Sequence, residues 1–213
     1  MTSIDQTSEI RILLIRHGET EWNKIHRFQG RSDVPLNQEG RDQARALAES
    51  LKDEPLMAIH SSPLIRAMET ASLIKAFHPS IPLLEEEGLM EMDLGEFDGM
   101  EAQQWAEKYP DFRKAWHEAP SSVKMPGGES FLEVQSRAID TLERITQIYP
   151  PKTTLLISSH NFVNLTILCY AFGKSLDRFR EFRQGTAALN VLYMQGRKLR
   201  AEVVNEREHL EQK

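Results

Sequence analysis

Ile12-Leu13-Leu14-Ile15-Arg16-His17-Gly18-Glu19-Thr20-Glu21-Trp22-Asn23 is the stretch from which the rest of the chain can be read. Successive side chains of a strand point to opposite faces, so four aliphatic residues in a row describe a strand buried on both sides. The run ends at a cation, an imidazole and a glycine. In open α/β sheets, ligands bind beyond the carboxyl ends of the strands. The sequence therefore sets a nucleophile or proton carrier, His17, beside an anion holder, Arg16, where such a site forms. Gly18 lets backbone come close to whatever binds there.

Two further strand ends have the same polar character. Leu56 to His60 reads as a short strand running into Ser61-Ser62-Pro63. Ser62 is the expected N-cap and Pro63 the first helical residue. The helix that follows buries Leu64, Ala67, Met68, Ala71 and Ile74, with Arg66 in its first turn and off that face. A cation there opposes the helix dipole at about 0.3–1 kcal/mol, whereas an anion is welcomed by the free N–H groups. Arg66 thus reads either as a partner for a bound phosphate or as an exposed i, i+3 partner of Glu69, worth about 0.2–0.5 kcal/mol. Thr153 to Ser158 is another buried strand, and Ser158-Ser159-His160-Asn161 leads into an apolar helix, Phe162 to Phe172, stopped by Gly173. His160 alone reads equally as a structural histidine. Parallel strands would carry all three turns to one sheet edge.

Between these points, the polar loop Lys24 to Asn37 offers the amide of Gln29, and Asn23 precedes it. Both are candidate donors to an anion, with turn chemistry an equal reading for Gln29. Asn37 caps a helix that buries Ala44, Leu47, Ala48 and Leu51. Ile81 to Leu84 is a short strand, and Glu85-Glu86-Glu87 reads as a solvated connection. Trp105, Tyr109, Phe112 and Trp116 fall at helical spacings around Pro110, which describes a helical insertion over residues 97–128 packing its own core. A long helix follows, with Phe131, Val134, Ala138, Leu142, Ile145 and Ile148 as its buried stripe, and Pro150-Pro151 ends it. Ala187 to Met194 and Leu199 to Val204, about a Gln195-Gly196 turn, close the sheet. His26, His60, His78, His117 and His209 read as surface or structural.

The chain has 213 residues, the size of one domain, and its 26 basic and 32 acidic residues give a net charge of −6. No basic field draws it to nucleic acid or membrane, and an anionic substrate must be held by local arginines against the overall sign. No stretch approaches the roughly 20 apolar residues of a membrane span. Residues 1–9 read as a loose polar tail without signal-peptide character. The single Cys169 lies in an apolar run, which excludes an internal disulfide and fits a reducing cytoplasm.

Arg16-His17-Gly18-Glu19-Thr20, continued by Trp22-Asn23, resembles the signature of the histidine phosphatase superfamily, the phosphoglycerate mutase-like proteins. Ser61-Ser62-Pro63-Leu64-Ile65-Arg66-Ala67 matches that family's second motif, and His160 stands where the family has its second catalytic histidine. Asn161 replaces the glycine usual after it. Leu89 to Gly99 resembles the segment carrying the family's acid: Glu91 stands four residues before Gly95 of a Gly-x-aromatic-acid-Gly turn. Phe97 and Asp98 replace the more usual Trp and Glu, and Asp93 and Glu87 are rival carboxylates. The resemblance runs from residue 10 to about 205. It implies a three-layer α/β/α sandwich with a mostly parallel central sheet, roofed by the 97–128 insertion, which in the family sets substrate choice.

The resemblance implies a phosphohistidine on His17, with Arg16, Arg66 and His160 around the phosphoryl group and Asn23, Gln29 and Asn161 as substrate-binding residues. Nucleophilic attack needs a neutral imidazole whose other nitrogen donates to a fixed acceptor, expected to be a backbone carbonyl. The leaving alkoxide needs a proton from Glu91. An ordinary glutamic acid keeps its proton only about 0.2% of the time at pH 7, so burial must raise this one or the enzyme must work in acid. The scheme asks for no metal or cofactor, and no helical His-x-x-x-His pair occurs. The expected function is a metal-independent phosphomonoesterase acting on a small phosphorylated metabolite, as a monomer or homodimer. A phosphoglycerate mutase is the alternative, although residues 100–128 lack the adjacent arginines of that subgroup. A non-catalytic phosphate-binding scaffold would be expected to have lost one of the five anchors, and all are present.

Overall fold

β1 (Ile10–Arg16) lies inside a six-stranded sheet with β2 (Leu56–Ser61), β3 (Leu83–Glu85), β4 (Thr154–Ser159), β5 (Leu189–Gln195) and β6 (Lys198–Glu206), in the order β3-β2-β4-β1-β5-β6. β1 runs parallel to β4, β4 to β2 and β2 to β3, while β5 and β6 are antiparallel additions beyond β1. This computed structural model describes residues 8–211. Most of the expected tail lies outside that range. Glu9 does not behave as tail, since its buried carboxylate accepts two hydrogen bonds from Arg200.

The consecutive aliphatic residues of β1 divide between two cores. Ile12 and Leu14 pack with α6 (Phe131–Thr146) and α7 (Asn161–Ala171), and Leu13 and Ile15 with α2 (Gln38–Ser50) and α3 (Ile65–Lys75). Helices on both faces make the expected three-layer α/β/α sandwich. α1 (Glu21–Lys24) is a single turn after the first strand end, closed by a capping box between Thr20 and Asn23. Cys169 is buried and its thiol is pushed up to about 11 by burial, so it serves as a small apolar side chain. Among the described residues no helix is long and apolar enough to cross a membrane.

Backbone meets backbone where β1 passes into the loop under α2. A Cβ on Gly40 would sit 2.0 Å from the Glu19 carbonyl oxygen, and one on Gly18 would sit 2.3 Å from the Gly40 oxygen. Gly40→Ala is therefore expected to push α2 off the His17 loop, costing about 3 kcal/mol and lowering Tm by roughly 6–12 °C in thermal unfolding. An unchanged Tm would mean that α2 and the His17 loop can part to admit a methyl group at no cost.

Several local expectations are corrected. The helix after β2 begins at Ile65, not Pro63: Ser62 Oγ accepts from the Leu64 N–H at 3.3 Å and also meets His160, but Leu64 stays extended and is itself the N-cap. Arg66 is not off the packed face but fully buried. Ile148 lies beyond the end of α6 and is exposed. Glu86 is buried rather than solvated, paired with His60 at 2.8 Å and with Arg144. His60 also meets the Tyr149 hydroxyl, so it is structural, as expected.

The insertion contains α4 (Ala102–Lys108) and α5 (Pro110–Glu118). Its aromatic residues pack partly on one another, Phe112 and Tyr109 standing 4.9 Å from Phe97 and Trp105 meeting both Phe97 and Phe112. Trp116 instead reaches out of the insertion, 4.8 Å from Phe131, and packs on Phe162 and Phe179. Offset and edge-to-face contacts of this kind add to the burial of the rings. Those of Trp116 seat the insertion on the main α6–α7 core.

Candidate active site

The parallel register carries three strand ends to one edge. Arg16 pairs with Ser159 across β1 and β4, and Ser61 with Ser158 across β2 and β4. The ladder continues past the strands, with the His17 N–H on the Ser159 carbonyl and the Ser62 N–H on the Ser158 carbonyl. His17 and His160 thereby become neighbours, their ring centroids 5.2 Å apart. Both are buried, and both are pushed well below the usual histidine range by burial first and then by the nearby charges of Arg66 and Arg16.

Hydrogen bonding decides where the single proton of each ring sits. The partner of His17 Nδ1 is the Gly18 carbonyl at 2.7 Å, which can only accept. Nδ1 therefore carries the proton and Nε2 carries the lone pair. His160 Nε2 lies 2.7 Å from Ser62 Oγ, and its Nδ1 is buried without a protein partner. With the Ser62 hydroxyl donating to Nε2, the His160 proton resides on Nδ1 as an unused donor. Asn161 occupies the first position of α7 without a positive φ, so the glycine usual there is not required. His17 is held from below: the Gly18 N–H donates to Thr70 Oγ1, which donates in turn to the Arg66 carbonyl.

The two arginines are unequal. Arg66 donates through Nη1 to the Ser32 carbonyl and through Nη2 to the Gly30 carbonyl. With the Gln29 amide oriented to satisfy both neighbours, its oxygen accepts from Arg66 Nε and Nη1 at 3.1 Å and its nitrogen donates to Thr20 Oγ1. Four of the five guanidinium N–H groups are thus engaged, leaving one on Nη2. Gln29 thus braces Arg66 with its oxygen and spends one of its two amide N–H groups on Thr20. Arg16 spends Nη1 on the Gln184 carbonyl, and its Nε is buried without a partner. Burial lowers both guanidiniums to about 10, and both stay charged at neutral pH. Asn23 turns its amide oxygen to Thr20, which leaves the NH₂ end facing a cleft of about 470 Å³ that Arg16 also lines.

Of the three carboxylates, only Glu91 is buried in this setting. Its Oε1 accepts from the Met92 N–H at 2.9 Å and its Oε2 from the Phe162 N–H, at the start of α7, at 3.2 Å. Burial raises it above the usual carboxylate range; those two N–H groups and the charges of Arg66 and Arg16 limit the rise. Asp93 spends an oxygen on the Gly95 N–H, and Glu87 is exposed.

Several supporting residues had no signal in the sequence. Arg137 and Arg31 both donate to the Glu91 carbonyl, and Glu129 holds Arg137. Asp98 accepts from the Gly30 and Ser32 N–H groups, fixing the loop whose carbonyls receive Arg66. Ser62 and Gln184 act on His160 and Arg16. The Gly-x-aromatic-acid-Gly turn could have drawn attention to Asp98; the others are joined to their partners only by folding.

A three-layer sandwich with a histidine and arginine pair at the carboxyl edge of its parallel strands defines a phosphoglycerate mutase-like protein. The chain belongs to the histidine phosphatase superfamily, branch 1, whose model matches residues 12–207, and it is a phosphatase of that type. It is 34% identical over 189 residues to phosphoserine phosphatase 1 of Hydrogenobacter thermophilus, covering 89% of each chain. It is 32% identical to a metal-independent phosphoserine phosphatase of Arabidopsis thaliana, over 88% of this chain and 77% of that one. Among solved structures, Bacillus stearothermophilus YhfR superposes with a TM-score of 0.88 at 29% identity, over 94% of this chain and 99% of that one.

Proposed function

We propose that this protein is a metal-independent phosphomonoesterase of small phosphorylated metabolites that works through a phosphohistidine on His17. The observation that carries the reading is a set of buried groups with bonding capacity left over: the Nε2 lone pair of His17, the Nε–H of Arg16 and the unpartnered Nδ1 of His160, a donor when the Ser62 hydroxyl donates to Nε2. A buried donor without a partner costs about 1–3 kcal/mol. A phosphate dianion supplies acceptors for both donors and an electrophile for the lone pair.

In the first half-reaction His17 Nε2 attacks phosphorus in line with the ester oxygen. The N–P bond forms, the P–O bond breaks, and the Glu91 proton passes to the leaving alkoxide. In the second, Glu91 as carboxylate takes a proton from water, the water oxygen attacks phosphorus, and the N–P bond breaks to regenerate neutral imidazole. Arg16 holds the equatorial oxygens with its free edge, while Arg66 contributes charge and one N–H. Asn23 and the backbone N–H of Asn161 supply further donors. The relatives named for phosphoserine and the single buried thiol fit an enzyme of cytoplasmic metabolism.

The test compares phosphate release with isomerisation on 3-phosphoglycerate and phosphoserine. Release is expected to dominate and to persist in EDTA. Dominant conversion of 3- to 2-phosphoglycerate would replace this reading with a mutase, and loss of activity on chelation, restored by added metal, would overturn the metal-independent scheme.

A further inference from the structure

A cavity of about 360 Å³ lies under the insertion, lined by Phe28, Leu94, Phe97, Trp105, Trp116 and Phe162 among others. It adjoins the site at two points. The Phe162 backbone N–H holds the Glu91 carboxyl, and Phe28 and Ala102 also line the cleft that contains Arg16 and Asn23. A leaving group whose oxygen takes the Glu91 proton extends from that carboxyl, so the cavity is placed to receive it.

Its chemistry is one-sided. The walls are aromatic and aliphatic, the lining includes no carboxylate, and Arg113 is exposed at its edge. With no carboxylate in the lining, the arginine favours a negatively charged group at that edge. Resting on the phosphatase reading, we propose that the preferred substrates are phosphomonoesters of a bulky, mainly apolar alcohol that carries a carboxylate, and not small polar esters such as phosphoserine.

The test uses esters with saturated alkoxide leaving groups, so that leaving-group basicity stays nearly constant: propyl phosphate, 3-phenylpropyl phosphate, its para-carboxylate derivative, and phosphoserine. Burying a phenyl ring is expected to raise kcat/KM at least about tenfold over propyl phosphate. The carboxylate should raise it several-fold further. Arg113→Gln should remove the carboxylate's advantage, read as the ratio of the two phenylpropyl esters. Ala106→Phe, which fills the cavity, should reduce the phenyl preference, with thermal unfolding checking that each variant is folded. Propyl phosphate or phosphoserine hydrolysed as well as the phenylpropyl esters would overturn the proposal and leave the phosphatase reading intact. Failure of every ester, with no phosphohistidine trapped, would overturn both.

Discussion

His17→Ala is expected to lower kcat by roughly 10³–10⁶-fold and to abolish the covalent adduct. The adduct formed by the parent protein from a labelled phosphomonoester should be acid-labile and base-stable, the signature of a phosphoramidate. The expectation follows from one hydrogen bond. The Gly18 carbonyl commits Nδ1 to donation, so Nε2 is the nitrogen that can attack, and burial beside two arginines keeps the ring neutral. His160 is less suited to take over, because its Nε2 is engaged by Ser62 Oγ at 2.7 Å. A variant retaining more than a hundredth of parental turnover, or still forming the adduct, would place the phosphoryl group elsewhere. His17→Asn provides a second variant with a smaller loss of packing, and it should be equally inactive.

Glu91→Gln is the second large effect, with kcat falling about 10²–10⁴-fold on alkyl esters and far less on aryl esters, whose phenolate leaves without a proton. The pH profile supplies its sign. Glu91 is raised by burial, so the acid form persists to a higher pH than in an ordinary glutamic acid, and activity is lost as pH rises through that raised value. His17 is lowered, so the nucleophile protonates only well below the usual 6.5, and the acidic limb is displaced downwards. The parent enzyme should therefore work best on the acid side of neutrality, and the Gln variant should lack the alkaline limb. The same shift makes stability depend on pH. A carboxyl raised in the folded state binds more protons there than in the unfolded chain between the two pKa values, so its contribution declines as pH rises through that window. Gln removes the decline, but its NH₂ cannot accept from the second of the two backbone N–H groups that the carboxyl holds, so the variant's Tm should lie below the parent's by a gap that narrows as pH rises. A gap that does not change with pH would show that Glu91 is not raised in the folded protein, and a variant that keeps its alkaline limb would point to another proton donor.

The central part of the fold was open to reading because its signals are local. Four adjacent aliphatic residues permit little but a doubly buried strand, and the abrupt change to Arg16-His17-Gly18 marks its end. The capping residue Asn37 likewise acts within three positions of itself, through a bond from the Gly40 N–H. Ser62 misled for the complementary reason. Its residue type suits a cap and its hydroxyl does accept from the Leu64 N–H, but the same hydroxyl also meets a histidine 98 positions away, and the helix starts only at Ile65. The same holds for Glu86, which reads as one of three solvated acids until β2 and α6 bring His60 and Arg144 to it.

Residue order alone was enough to place a buried strand, three polar strand ends and the chemical types gathered at them, since strand burial, turn formation and the kinds of side chain present are properties of a few neighbouring residues. Which carboxylate loses its water, which arginine keeps a free edge and which ring nitrogen keeps its lone pair were settled by folding. Each depends on desolvation and on hydrogen-bond partners such as Gln184 for Arg16, 168 residues away along the chain. Those partners exist only once the sheet has assembled.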